Sequence, residues 1–299
     1  MSRSFPASVT VREVGPRDGL QVESPVPVGA RVALIEALLA AGVTEVEVVA
    51  FVSPKAVPSM AGGEEVIASL PDAVGVRYWA LVPNLRGATM ALDAGVGGLS
   101  VTVSASEKYS EKNVRMSVAE SVDEASRIAG LAQGRVPVDA VISCAFGSPY
   151  EGDLEPRLVA GLGEQLQEGG ATSLTYADTT GMATPRRVAA LLDVTGVDVG
   201  LHFHETRGTG LVNVYAALEA GVTRFDSSIG GLGGSPFAAG SAGNVATEEL
   251  VHLCTDLGIE TGIDLERLLE ASKLLVSIVG HSVASRVAVA GPRWRRSEG

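Results

Sequence analysis

The sequence predicts an α/β fold, a closed (β/α)8 barrel built as a single domain, and two observations lead there. The first is a join that recurs four times, in "LLAAGVTEVEVV" (38–49), "ALDAGVGGLSVT" (91–102), "LQEGGATSLTYA" (166–177) and "ALEAGVTRFDSS" (217–228). In each, an apolar-periodic helix ends, glycine stands where a left-handed cap is needed, and a β-rich run begins at once. The second is the set of strand candidates between these joins, at Val9–Val14, Val76–Val82, Val136–Ser143 and Val197–His204. Several are continuous apolar runs, as expected for strands covered on both faces. About eight strands alternating with helices, in a chain near the ~250 residues typical of the (β/α)8 or TIM barrel, favour that barrel. An open doubly wound sheet is the alternative. No G-x-G-x-x-G turn follows the first strand, which weakens its dinucleotide-binding form. No Pro/Gly/Ser linker divides the chain, so residues 1–299 read as one barrel domain, with a helical segment at 264–290 packed on it.

Bulk properties narrow the function. The formal charge of -12 argues against general nucleic-acid or membrane-surface binding, which needs a basic face. There is no run of ~18 apolar residues to span a membrane. The opening "MSRSFPASVTVREV" lacks the apolar core of a secretion signal. Two cysteines, Cys144 and Cys254, are too few for a disulfide scaffold, so a reducing cytoplasm is the expected location.

In such barrels the working residues gather at the carboxyl ends of the strands. Here those ends carry Arg17 and Asp18 in "GPRDGLQ", Glu47 before "FVSPK", Asn84, Ser104, Cys144, Asp178, and then His202 and His204 in "HFH". Residues two apart on a strand project to one face, so the histidines point together toward the barrel axis. Alone, an H-x-H pair is equally well read as two histidines satisfied within the structure. Asp18 at another strand end and Asn244 after the last strand favour a metal: two nitrogens, a carboxylate and an amide oxygen suit six-coordinate Mg2+ or Mn2+. Arg17 carries a permanent charge that can hold an oxyanion, with Glu47 placed to orient its guanidinium. The alternative is an Arg–Asp pair on a surface loop. Lys108, Lys112 and Arg115 in "SEKYSEKNVRMS" form a local basic patch for phosphates, or else a solvated helix start. Lys55, Asn84 and Asp178 are further candidate substrate contacts by their strand-end positions.

With these residues in place, the chain resembles the 3-hydroxy-3-methylglutaryl-CoA lyases, metal-dependent barrels of an Asp–Arg–Glu signature superfamily. The motifs "GPRDGLQ", "VEVVAFVSPKAVP", "VPNLRG", "SCAFGSPYEG", "ADTTG", "HFHETRG" and "GLGGSPFAAGSAGNVATEEL" occur in that family's order, from about Val11 to about Ala290. The related carboligases carry a short G-x-G-E-R-x-G-N turn where this chain has its long loop. The resemblance implies retro-aldol (Claisen-type) cleavage of a 3-hydroxyacyl-CoA to acetyl-CoA and acetoacetate, and a homodimer. It also puts Asp18, His202, His204 and Asn244 on the family's metal ligands, Arg17 on its carbonyl-stabilising arginine, and Glu47 on that arginine's partner.

The loop "GLGGSPFAAGSAGN" (231–244) suits a lid over the barrel mouth, with Gly233 and Gly234 bringing backbone N–H groups close to anionic oxygens. One departure stands inside it. Ser235 occupies the position of the family's proton-delivering cysteine. A serine hydroxyl relays a proton but does not hold the negative charge near neutrality. Glu205 and Arg207 replace the family's Asp and Tyr, which suggests a changed substrate pocket. The expectation is therefore a lyase for the parent substrate, with two alternatives: a lyase for a related 3-hydroxyacyl-CoA, or a low-activity metal- and thioester-binding homologue. Cys144 reads as a buried structural thiol.

Overall fold

The computed structural model of the chain describes residues 5–234 and 243–296. Eight parallel strands run in order around a closed barrel: β1 Thr10–Glu13, β2 Glu45–Ala50, β3 Arg77–Leu81, β4 Gly98–Ser104, β5 Val138–Ser143, β6 Ser173–Ala177, β7 Gly200–His202 and β8 Arg224–Ser227. The β1–β8 register, from Thr10 opposite Arg224 to Glu13 opposite Ser227, closes the ring and rules out the open sheet. Right-sized helices cross over between the strands, among them Val28–Ala40, Leu85–Asp93, Val118–Ala132, Pro156–Glu168, Pro185–Thr195 and Gly210–Ala220. Their starts follow from local chemistry. Ser117 and Glu120 form a reciprocal capping box, Asn84 and Thr184 cap with their side chains, and prolines sit at the first turns of two helices.

The recurring join is a real structural unit. Gly42, Gly95, Gly170 and Gly221 all take positive φ where a helix passes into the next strand. At Gly42 the requirement is double: φ is +97°, and an added Cβ would meet the carbonyl oxygen of Gly262.

Apolar packing lies between the strands and the outer helices, with Leu34, Ile35, Leu38, Val46, Val48, Leu99, Ile142, Leu201, Leu218 and Leu250 fully buried. The lumen is different. Arg12 donates to Asp226 at 2.8 Å and pairs with Asp139 at 2.8 Å, and Asp139 also accepts from Thr175 and Ser173. A guanidinium is held in the barrel only because two carboxylates flank it. After β8, the helices Thr247–Leu257, Leu265–Val279 and Arg286–Ala290 complete the described chain. The Asp264 amide and the Arg267 guanidinium reach back to the carbonyls of Ala41 and Ala40. Among the described residues no helix is long and apolar enough to cross a membrane.

The strand candidates Val9–Val14, Val76–Val82, Val136–Ser143 and Val197–His204 are all trimmed in the structure, β7 the most. β7 starts at Gly200, after a bend over residues 197–199, and it ends at His202. Beyond it the chain pairs with the far end of the β8 loop. His204 bridges antiparallel to Asn244, the Val245 amide donates to the Phe203 carbonyl at 3.1 Å, and the Glu205 amide donates to Gly243 at 2.9 Å.

Gly42→Ala is expected to lower stability by about 1–3 kcal/mol, through backbone strain and the Gly262 contact. Urea unfolding would measure it, with activity per folded molecule unchanged.

Candidate active site

The first strand delivers two charged residues through a tight device. After Glu13 the chain makes a single wide helical turn, Gly15–Gly19, in which the amides of Arg17 and Asp18 both donate to the Val14 carbonyl, at 3.1 and 2.6 Å. The turn is pinned from below by Glu13, whose buried carboxylate accepts from the Gly15 amide (2.7 Å), the Ile229 amide (2.8 Å) and the Thr247 hydroxyl (2.5 Å). Glu13 thus ties the end of β1 to the segment after β8. Burial pushes its carboxyl up to about 7, against the pull of those three donors. Sequence reasoning missed this residue, because its place beside Arg12 in "TVRE" does not say which donors it will meet.

Arg17 lies between two carboxylates. Its guanidinium bonds Glu47 on β2, and its Nη1 donates to Asp18 Oδ1 at 2.6 Å. The other Asp18 oxygen accepts from Asn244 Nδ2 at 2.8 Å. Burial alone would raise the Asp18 carboxyl, but Arg17, the two histidines and the Asn244 bond outweigh it and hold Asp18 below its ordinary value.

His202 and His204 do share a face. Their Nε2 atoms are 3.1 Å apart, and His202 Nδ1 lies 3.2 Å from Asp226 Oδ2. The Asp226 bond sets the ring's orientation and leaves Nε2 aimed at the mouth. Asp226 was not singled out from sequence, since one acid inside "TRFDSS" says nothing about which ring it will meet.

The donor set suits a divalent cation. Asp18, His202 and His204 each offer an atom, all within 4.8 Å of one another. Asn244 donates its amide hydrogens to Asp18 and to the Leu232 carbonyl, while its buried Oδ1 has no hydrogen-bond partner. Such an orphaned acceptor is costly unless something outside the protein meets it. Gly233, with φ +125°, leaves the room needed: a Cβ there would strike Asn244 and crowd Asp18.

The cluster opens into a cavity of about 1130 Å3. Arg17, Asp18, Glu47, Asn84, His202, His204 and Gly234 are on its wall, and Arg17 is the only cation among the described residues that line it. Other expected contacts are already engaged or sit elsewhere. Asn84 Oδ1 is engaged by the Gly87 amide at 2.9 Å. Lys55, Lys108, Lys112 and Arg115 are exposed and outside the cavity wall, with Lys112 over the Tyr150 ring at 4.0 Å. Asp178 is buried and does not line the cavity; its Oδ1 accepts from the amides of Met182 (2.6 Å) and Ala183 (2.9 Å), bracing its own loop.

Glu205 and Arg207 also differ from expectation. Glu205 accepts from the Leu211 amide at 2.7 Å, and Arg207 donates to the carbonyls of Thr180 and Gly181 at 2.7 and 2.9 Å. Both hold backbone together and neither faces the cavity. Cys144 is buried, and burial pushes its thiol up to about 12. Ser235 lies outside the described residues.

A family model described as HMGL-like matches residues 8–275. The chain belongs to the HMGL-like family. This HMGL-like protein is 41% identical over 294 residues to the 3-hydroxy-3-isohexenylglutaryl-CoA/hydroxymethylglutaryl-CoA lyase of Pseudomonas aeruginosa, covering 96% of this chain and 98% of the relative. It is 41% identical over 302 residues to the (R)-citramalyl-CoA lyase of Chloroflexus aurantiacus, covering 95% of each. The solved structure of an HMG-CoA lyase from Acinetobacter baumannii, in complex with coenzyme A and 3-methylmalate, matches it with a TM-score of 0.93 at 40% identity, covering 98% of both chains.

The buried acids set a pH dependence. Glu13 titrates at about 7 and Glu248, buried under the Gly230 amide, at about 6, both raised by burial from 4.5. The folded protein therefore holds these protons more tightly than the unfolded chain. Their contribution is fully present below about 4.5 and is lost as pH rises through about 6 to 7. Asp226, held low by Arg12 despite its burial, acts oppositely and only in stronger acid. The urea midpoint is expected to be higher at pH 5.5 than at pH 8, with Glu13→Gln flattening that slope.

Proposed function

We propose that this protein is a divalent-metal-dependent carbon–carbon lyase that cleaves 3-hydroxy-3-methylglutaryl-CoA to acetyl-CoA and acetoacetate. One observation carries the reading: Asp18, His202, His204 and the orphaned Asn244 oxygen converge beside Arg17 at the mouth of a cavity. Family membership, relatives named as lyases of related acyl-CoA thioesters, and a similar structure holding coenzyme A support it.

Asp18, His202, His204 and Asn244 would hold Mg2+ or Mn2+. When bound, the cation supplies Lewis acidity that lowers the pKa of a tertiary hydroxyl. The remaining work belongs to the chain. Asp18, kept ionised by Arg17, takes the hydroxyl proton, directly or through a water. As the carbon–carbon bond breaks, its electron pair moves into the thioester enolate and the hydroxyl carbon becomes the ketone of acetoacetate. Arg17, locked by Glu47, faces the enolate oxygen with a charge that needs no reorganisation. The enolate carbon then takes a proton and leaves as acetyl-CoA. Ser235 relays that proton where a cysteine would carry it, which makes this the slow step. Because Glu205 and Arg207 brace backbone, they give no reason to prefer an altered acyl group.

The whole chain is read as one catalytic unit, with the helical segment 264–290 packed on the barrel. A cytoplasmic location and a homodimer complete the proposal.

The first test is acetyl-CoA release with Mg2+ or Mn2+, for the native protein and Ser235→Cys side by side. The variant is expected to raise kcat at least about tenfold, since positioned acid–base groups contribute ~10²–10⁴-fold. Equal rates would show that another group delivers the proton. Asp226→Asn, which leaves His202 without its carboxylate, is expected to weaken Mn2+ binding about 10–100-fold, read by calorimetry without substrate.

A further inference from the structure

Ser143 is a polar side chain that the cluster at the mouth does not use. It ends β5, is 5% exposed, and lines the cavity, yet its Oγ has no hydrogen-bond partner among the described residues. Strand alternation agrees with an inward-facing hydroxyl: Asp139, on the same face of β5, meets Arg12 in the lumen. Several neighbouring hydroxyls have found partners. Ser104 accepts from the Ser106 amide, Ser106 bonds Ser148, and Thr179 accepts from the Cys144 amide. An idle, buried hydroxyl in such a wall is expensive, and a ligand oxygen would relieve it.

Register places Ser143 relative to the cluster. It stands one residue beyond the Ile142–Tyr176 pair, level with Ala177, which itself pairs with His202. Ser143 and His202 are therefore two strands apart, about 9–10 Å along the sheet, with only a methyl group between them. A ligand whose hydroxyl and thioester oxygen lie at the histidines and Arg17 would extend its far end over Ala177 to Ser143. That end of a 3-hydroxy-3-methylglutaryl chain is a carboxylate. Arg17 is the only cation lining the cavity among the described residues, and Glu47 and Asp18 already engage it.

We propose that Ser143 is a substrate-binding residue whose hydroxyl donates to the distal carboxylate of the acyl chain, selecting dicarboxylic over simple acyl thioesters. This rests on the acyl-CoA reading above, so its test uses binding rather than turnover. Glutaryl-CoA and pentanoyl-CoA share a chain length, differ only in a terminal carboxylate against a methyl group, and lack the hydroxyl needed for cleavage. Their dissociation constants would be measured by calorimetry for the native protein, Ser143→Ala and Ser143→Cys, with the unfolding midpoint as a check on folding.

The native protein is expected to prefer glutaryl-CoA. Ser143→Ala should lose about tenfold of glutaryl-CoA affinity with pentanoyl-CoA unchanged, and Ser143→Cys, a weaker donor of similar shape, should fall between. Equal binding of the two thioesters by the native protein would overturn the proposal. So would equal weakening of both in Ser143→Ala, the mark of a general distortion, or no change in either. Failure of the native protein to release acetyl-CoA would instead count against the lyase reading, and the binding comparison would still stand.

Discussion

The hydrogen bond from Asn244 to Asp18 joins residues 226 positions apart, and the site depends on the closure that makes it. β1 must lie beside β8 for the turn carrying Arg17 and Asp18 to reach the segment that follows the last strand. The same segment is zipped onto the end of β7 through Phe203–Val245 and His204–Asn244. Three strand ends are thereby locked into one cluster. Glu13 fastens the arrangement from beneath, accepting from the turn, from Ile229 and from Thr247 at once.

Around the site the buried guanidinium groups are compensated by carboxylates. Arg12 sits between Asp139 and Asp226, and Asp226 in turn steadies His202. Arg17 sits between Glu47 and Asp18. Isolated, any of these ions would be too costly to bury; paired and hydrogen-bonded, they become rigid. That rigidity suits catalysis, because a donor already fixed at the place where charge develops does not have to move to meet it. The overall charge of -12 is thus no guide to the mouth, where cation and carboxylate alternate.

Residues near the cluster divide by whether their polar atoms are spent on backbone. Asp178, Glu205 and Arg207 look functional in the sequence because they adjoin strand ends and ligand motifs. In the fold they hold the loops that carry other residues. Ser143, unremarked in the sequence, and Asn244, read there as a metal ligand, retain an unspent polar atom in the cavity wall or beside it, whereas the unspent Asp178 Oδ2 lies off that wall.

The sequence by itself determined the architecture and the chief chemical residues. Helix caps, apolar runs and the repeated glycine join are local, so the alternating barrel order, Arg17–Asp18, Glu47 and the same-face histidines could be read from neighbours in the chain. Tertiary structure decided which polar atoms are free. The pairing of Asp226 with His202, the threefold grip of Glu13 and the turning of Arg207 toward the Thr180 and Gly181 carbonyls depend on contacts between distant segments. A residue type and its strand-end position say that a group can bond. Only closure of the barrel decides whether a neighbour has already taken that bond.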